Sequence, residues 1–178
     1  MLNTPTLAAA PLRIAGIEPE SIVDGPGVRA VLFMQGCPHH CPGCHNSHTH
    51  NPQGGTLTTV GAVVEQLLRQ ARMRAVTLSG GEPFFQAHSC TLVAQSLRAE
   101  GFHLTCFSGY TWEALTANAA YLPLLHTLDL LIDGPYIAAQ RSLELRFRGS
   151  SNQRIIDVPR SLQAGHIVLS AYQESAFD

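Results

Sequence analysis

Charge is scarce in this chain of 178 residues: Asp, Glu, Lys and Arg supply only 13% of it, and the formal net charge is -2. Without a basic surplus there is no electrostatic footprint for a phosphate backbone, which argues against a nucleic-acid partner. Long apolar runs are missing too. None approaches the roughly 18 residues of a membrane span, and Met1 to Leu12 lacks the basic start and long apolar stretch of a signal peptide. There is no disulfide framework either: the five cysteines are an odd number, and three of them crowd into one loop. These absences lead to the expectation of a reducing, cytoplasmic setting in which thiols stay free for metal. Hydrophobic residues reach 45%, enough for one globular domain over 1–178. Its core is expected over about 14–170, with 1–12 as a flexible N-terminal extension.

What the chain does have is Cys37-Pro38-His39-His40-Cys41-Pro42-Gly43-Cys44. Three thiolates from one short loop match three corners of an iron–sulfur cube and leave the fourth iron without a protein ligand. Sites that perform chemistry keep such an open position, whereas structural sites close their shell. Zinc is the competing reading, because His39, His40, His45, His48 and His50 are close by and zinc accepts mixed sulfur and nitrogen ligands.

Around this loop the chain alternates apolar runs with helical periodicity. Val28–Met34 reads as a buried strand, and the cysteine loop follows it directly. The stretch from Gln35 to Gly55 is too rich in Pro, Gly, His and Asn for regular structure. Thr58 or Thr59 then caps a helix with Val60, Val63, Val64, Leu67 and Leu68 on one face. Ala75–Ser79 is the next strand, running into Gly80-Gly81-Glu82-Pro83, where paired glycines admit a close backbone approach. A helix over Phe85–Glu100 ends at Gly101. A strand over Phe102–Phe107, a short helix capped by Thr111, and a strand over Leu128–Ile132 follow.

Strand, loop and helix recur often enough to predict a parallel α/β layout, and the informative residues all follow the carboxyl ends of strands. A complete eight-fold barrel takes about 250 residues, so this length predicts a partial, open parallel β/α barrel. Cys90 and Cys106 fall within regular elements, as small buried hydrophobes.

Ser21-Ile22-Val23-Asp24-Gly25-Pro26-Gly27-Val28-Arg29, Gln35-Gly36-Cys37, Cys44-His45-Asn46 and Gly80-Gly81-Glu82-Pro83 together resemble the radical S-adenosylmethionine enzymes. Within these they are similar to the activating enzymes of glycyl-radical proteins. Leu128 to Tyr136, Arg148 to Arg154 and the Pro42-Gly43 pair are similar to the subgroup acting on the anaerobic ribonucleoside-triphosphate reductase.

That resemblance implies a [4Fe-4S] cluster on Cys37, Cys41 and Cys44, S-adenosyl-L-methionine at its open iron, and reductive cleavage to a 5′-deoxyadenosyl radical. The radical would take a hydrogen atom from a glycine of the reductase, with flavodoxin or ferredoxin as electron donor. Gly80, Gly81 and Glu82 are expected at the ammonium of S-adenosylmethionine, Gly43 and His45 near its adenine, and Ser108 and Asp133 at its methionine or ribose. Arg148 to Arg154 face either cofactor or reductase. The alternatives are activation of another glycyl-radical enzyme, a small-molecule reaction such as deazapurine ring formation, and a zinc-binding adaptor.

Overall fold

The apolar runs form the centre of one seven-stranded sheet in the computed structural model, which describes residues 8–174. In chain order the elements are β1 (Pro11–Ser21), β2 (Arg29–Met34), β3 (Thr56–Thr59), α1 (Val60–Gln70), β4 (Ala75–Gly80), α2 (Ala87–Ala99), β5 (His103–Phe107), α3 (Trp112–Thr116), α4 (Leu122–Leu125), β6 (Leu130–Asp133), β7 (Arg154–Asp157) and α5 (Val158–Ala164). The strands lie in the order β3-β1-β2-β4-β5-β6-β7.

The parallel layout predicted from the sequence holds only for the centre. There β2, β4, β5 and β6 run parallel, while β1 is antiparallel to both β2 and β3, and β7 is antiparallel to β6. The sheet has two edges, β3 and β7, and does not close. Sequence reading missed the flanking strands for a physical reason. β1 carries Pro11, Gly16 and Pro19, buries only Leu12 and Ile14 fully, and its pairing with β2 slips on either side of Ile17. Such bulges accommodate Gly and Pro but erase the two-residue period. Pro11 and Leu12, expected in the flexible extension, pair with Thr59 and Thr58; residues 1–7 of that extension lie outside the described residues.

Helix starts follow local chemistry. Thr59 caps α1 by accepting from the Ala62 N–H, and Thr111 caps α3 by accepting from Ala114. Leu68, expected on the buried face of α1, is largely exposed, while Val60, Val63, Val64 and Leu67 are buried. The helix expected from Phe85 begins at Ala87. Ahead of it, Glu82 caps a 3-10 turn over Pro83–Gln86 by accepting from the Phe84 N–H, and Phe85 stays half exposed.

Alternation along the parallel strands separates two environments. Ala30, Leu32 and Met34 of β2, Val76 and Leu78 of β4, and Leu104 and Cys106 of β5 join the core formed with α1 and α2. Each such Leu or Val contributes about 1.5–3 kcal/mol on burial. Cys90 and Cys106 lie in this core, fully buried and unpaired. The residues between point the other way. Near the amino ends of the strands, the buried Arg29 donates to Thr77 Oγ1 at 2.7 Å, Thr105 Oγ1 at 2.8 Å, the Val76 carbonyl at 3.1 Å and the Pro26 carbonyl at 2.7 Å. Burial lowers its pKa to about 10. Thr77 Oγ1 donates in turn to the Asp24 carbonyl, so the Asp24–Gly27 loop is tied to the sheet from below.

Candidate functional site

At the carboxyl edge of the parallel strands the same face opens into a cavity of about 360 Å³, within the ~300–1,000 Å³ of small-molecule sites. Cys37, Cys41 and Cys44 all line it, all unpaired and partly exposed. Opposite and beside them stand Ser79 to Glu82 after β4, Phe107 to Gly109 after β5, Gly134 after β6, and the Arg141–Gly149 segment. Four loops distant in sequence meet here because their strands are neighbours in one parallel register.

The thiol loop is built from short local bonds. Its entry is held by Gly36 N–H to the Thr49 carbonyl and Cys37 N–H to the His50 carbonyl. Its exit is a turn in which Cys44 N–H donates to the Cys41 carbonyl at 3.1 Å, with Pro42 and Gly43 at the corners. Gly43 has φ +75, the value that a turn of this kind requires and that only glycine adopts freely. Gly43 does not itself line the cavity; a Cβ there would point at Ala138 and Tyr136, 3.5 and 3.7 Å away. His45 does line it, its ring 5.3 Å from that of Tyr136.

The reason for two glycines after β4 is on the protein side. A Cβ on Gly81 would stand 2.4 Å from the Gly36 carbonyl oxygen, and one on Gly80 about 2.7 Å from the Met34 backbone nitrogen. The Gly80–Glu82 loop is thereby pressed onto the base of the thiol loop, with Gly81 N–H donating to Met34 O and Glu82 N–H to Gly36 O, both at 2.8 Å.

Glu82 is fully buried. Its carboxylate accepts from Ser108 Oγ at 3.0 Å, Gly109 N–H at 2.8 Å, Phe84 N–H at 3.0 Å and His39 Nε2–H at 2.9 Å. Four donors fill the roughly four lone-pair sites of a carboxylate. Ser108, expected at a ligand, is on the cavity wall with its hydroxyl directed to this carboxylate.

Asp133 is brought elsewhere. It is buried, accepts from the Trp112 N–H at 2.7 Å, and forms an ion pair with Arg154, which also reaches Glu113. It is not in the cavity lining. The Arg148–Arg154 stretch therefore divides: Arg154 clamps β6, β7 and α3, while Arg148 lines the cavity and donates to the carbonyls of Gln153 and Gln173.

Among the described residues, no three His, Cys, Asp or Glu side chains converge as a single bound ion demands. A cube asks for no such convergence, because each thiolate holds a different iron. The donor set fits it: three unpaired thiols on one wall, with the other two cysteines in the core.

A family model described as the 4Fe-4S single cluster domain matches residues 23–156. The chain is 33% identical over 144 residues to the anaerobic ribonucleoside-triphosphate reductase-activating protein of Escherichia coli (strain K12), covering 76% of this chain and 92% of that protein. The proteins of the same name from Enterobacteria phage T4 and Haemophilus influenzae are each 34% identical, covering 78% and 77% of this chain and 90% and 92% of theirs. The chain belongs to the family of anaerobic ribonucleoside-triphosphate reductase-activating proteins.

In this member of the activating-protein family, sequence reading overlooked several residues of the site. Gln153 lines the cavity, donates to the Gly134 carbonyl and accepts from the N–H groups of Gly149 and Ser150, joining two of its walls. Tyr136, Leu143 and Phe147 also line it. His39, one of the loop histidines that sequence reading takes as loop surface or as support behind the ligands, reaches Glu82. Tyr136 and Gln153 fall within the quoted motif segments, but no local pattern gives any of these residues its role, since each acts on a partner set by the fold.

Proposed function

We propose that this chain is a radical S-adenosylmethionine activase that generates a glycyl radical on the anaerobic ribonucleoside-triphosphate reductase. The observation that carries the reading is the cavity wall of Cys37, Cys41 and Cys44, with no fourth cysteine on it, at the carboxyl edge of four parallel strands. The family it belongs to and the 4Fe-4S domain match support it, as does the open sheet, whose parallel centre suits a partial β/α barrel. The three thiolates would hold a [4Fe-4S] cluster. When bound, the cluster supplies the electron that splits S-adenosylmethionine into methionine and a 5′-deoxyadenosyl radical, which takes a hydrogen atom from the reductase's glycine.

The chain's own residues bind, orient and exclude water. The backbone carbonyls of Gly80 and Gly81 receive the ammonium of S-adenosylmethionine. Glu82 acts from beneath by holding that loop, because its carboxylate is already filled. His45 and Tyr136 flank the adenine. Asp133 serves the methionine and ribose only indirectly, by fixing the start of the Gly134 loop. A flavodoxin or ferredoxin delivers the electron, and the setting is the cytoplasm.

The test is anaerobic reconstitution with iron and sulfide, addition of dithionite and S-adenosylmethionine, and then the host's reductase. The expected results are 5′-deoxyadenosine and a glycine-centred doublet in electron paramagnetic resonance, both lost in Cys41→Ala. Cleavage without a doublet on that reductase would move the assignment to another glycyl-radical enzyme or a small-molecule reaction. A colourless protein holding zinc would overturn it in favour of an adaptor.

A further inference from the structure

His39 sits midway between Cys37 and Cys41, yet its side chain turns away from solvent toward a loop 43 residues further on. Its Nε2 lies 2.9 Å from Glu82 Oε2, with side-chain exposures of 17% and 1%. The ring is held on two more sides. Tyr110 meets it edge-on at 4.5 Å between centroids, and the Gly109 backbone lies so close that a Cβ there would stand 2.4 Å from His39 Cδ2. Since the same carboxylate receives Ser108 and Gly109, one buried group joins the loops that follow β2, β4 and β5.

The backbone at this point has a task. The backbone N–H groups of His39 and His40 face the Cys37 sulfur. His40 adopts φ +47, a left-handed conformation that costs a non-glycine residue about 1 kcal/mol or more. Such a conformation persists only where its surroundings hold it. The entry and exit of the thiol loop are closed by their own backbone bonds at Cys37 and Cys44. Between them, among the described residues, the His39 side chain makes the hydrogen bond that ties the segment down, and the His40 ring rests edge-on against His50 at 5.0 Å.

We propose that His39 is a positioning residue: through Glu82 it fixes the segment whose amides face the Cys37 sulfur, and so sets the electron affinity of whatever metal group that thiolate holds. The proposal rests on the reading that these thiols hold an iron–sulfur cluster. Hydrogen bonds to a cluster's sulfurs favour its reduced, more negative state and raise its potential. Losing the anchor should therefore lower it.

Two measurements on the full chain test this, for His39→Ala and His39→Gln, the second keeping an N–H donor near the position of Nε2. In the metal-free protein, amide hydrogen exchange at residues 39–41 is expected to quicken roughly tenfold in His39→Ala, the loss of one charge-assisted hydrogen bond, and to return toward wild type in His39→Gln. After reconstitution, a redox titration followed by electron paramagnetic resonance should give a more negative midpoint potential for His39→Ala, again restored by His39→Gln. Unchanged exchange, or an unchanged or raised potential, overturns the proposal. Gly109→Ala supplies a second route, since it displaces the ring without deleting it and should shift the potential in the same direction. If the wild-type chain assembles no cluster, the functional reading fails and the exchange measurement alone decides whether His39 anchors the loop.

Discussion

Replacing Gly81 with alanine isolates why this glycine is there. The added methyl would sit 2.4 Å from the Gly36 oxygen, 3.0 Å from the Gly36 carbonyl carbon and 3.1 Å from the Met34 oxygen, all backbone atoms that cannot swing aside. Relief requires moving the Gly80–Glu82 loop off the thiol loop, which loosens the bonds Gly81 N–H to Met34 O and Glu82 N–H to Gly36 O. Overpacking costs about 1–3 kcal/mol, and two weakened hydrogen bonds add about 1 kcal/mol, so a loss near 3 kcal/mol is expected. Gly27 is the control. It has φ +68 with nothing within 4 Å of its Cβ position, so Gly27→Ala should cost only the left-handed penalty of about 1 kcal/mol. At this chain length 1 kcal/mol corresponds to roughly 2–4 °C in Tm. Thermal unfolding of the metal-free proteins by circular dichroism should then show a fall of roughly 9 °C for Gly81→Ala and roughly 3 °C for Gly27→Ala. Equal shifts would refute the argument. They would mean that the crowding against Gly36 and Met34 is not what keeps a side chain off Gly81.

Arg29→Met should lower stability by about 3 kcal/mol in urea unfolding, because it leaves the Thr77 and Thr105 hydroxyls and the Val76 and Pro26 carbonyls without their buried donor. The Arg154 hydrogen bond brings the Glu113 carboxyl down to about 2 from 4.5. Its stabilisation is thus complete above pH 4.5 and lost as pH falls through about 2. Glu113 is mostly exposed, so the gap between wild type and Glu113→Gln should be no more than ~1 kcal/mol at neutral pH and should close by about pH 2, as read from urea midpoints. Thr59→Ala removes the cap that accepts from Ala62 N–H and should cost about 1 kcal/mol, with reduced exchange protection confined to the first turn of α1.

The sequence by itself determined what local pattern can carry. Short, mostly apolar runs marked β2, β4, β5 and β6, since strands buried on both faces need no strict alternation. Thr59 and Thr111 marked helix starts because a cap acts within three residues. The spacing of Cys37, Cys41 and Cys44 marked the candidate site, since three thiolates so close in the chain can reach three irons of one cluster without help from the fold. Tertiary structure alone decided the rest. The bulged β1 and the short edge strands β3 and β7 exist through their partners, not their own periodicity. Asp133, placed by its position after a strand among the ligand contacts, turned to Arg154 and Trp112. Glu82 filled its carboxylate with donors from His39, Phe84, Ser108 and Gly109. The contacts of Asp133 and Glu82 join residues up to 43 positions apart, a distance over which a chain carries no periodic signal and the register of neighbouring strands sets which side chains meet.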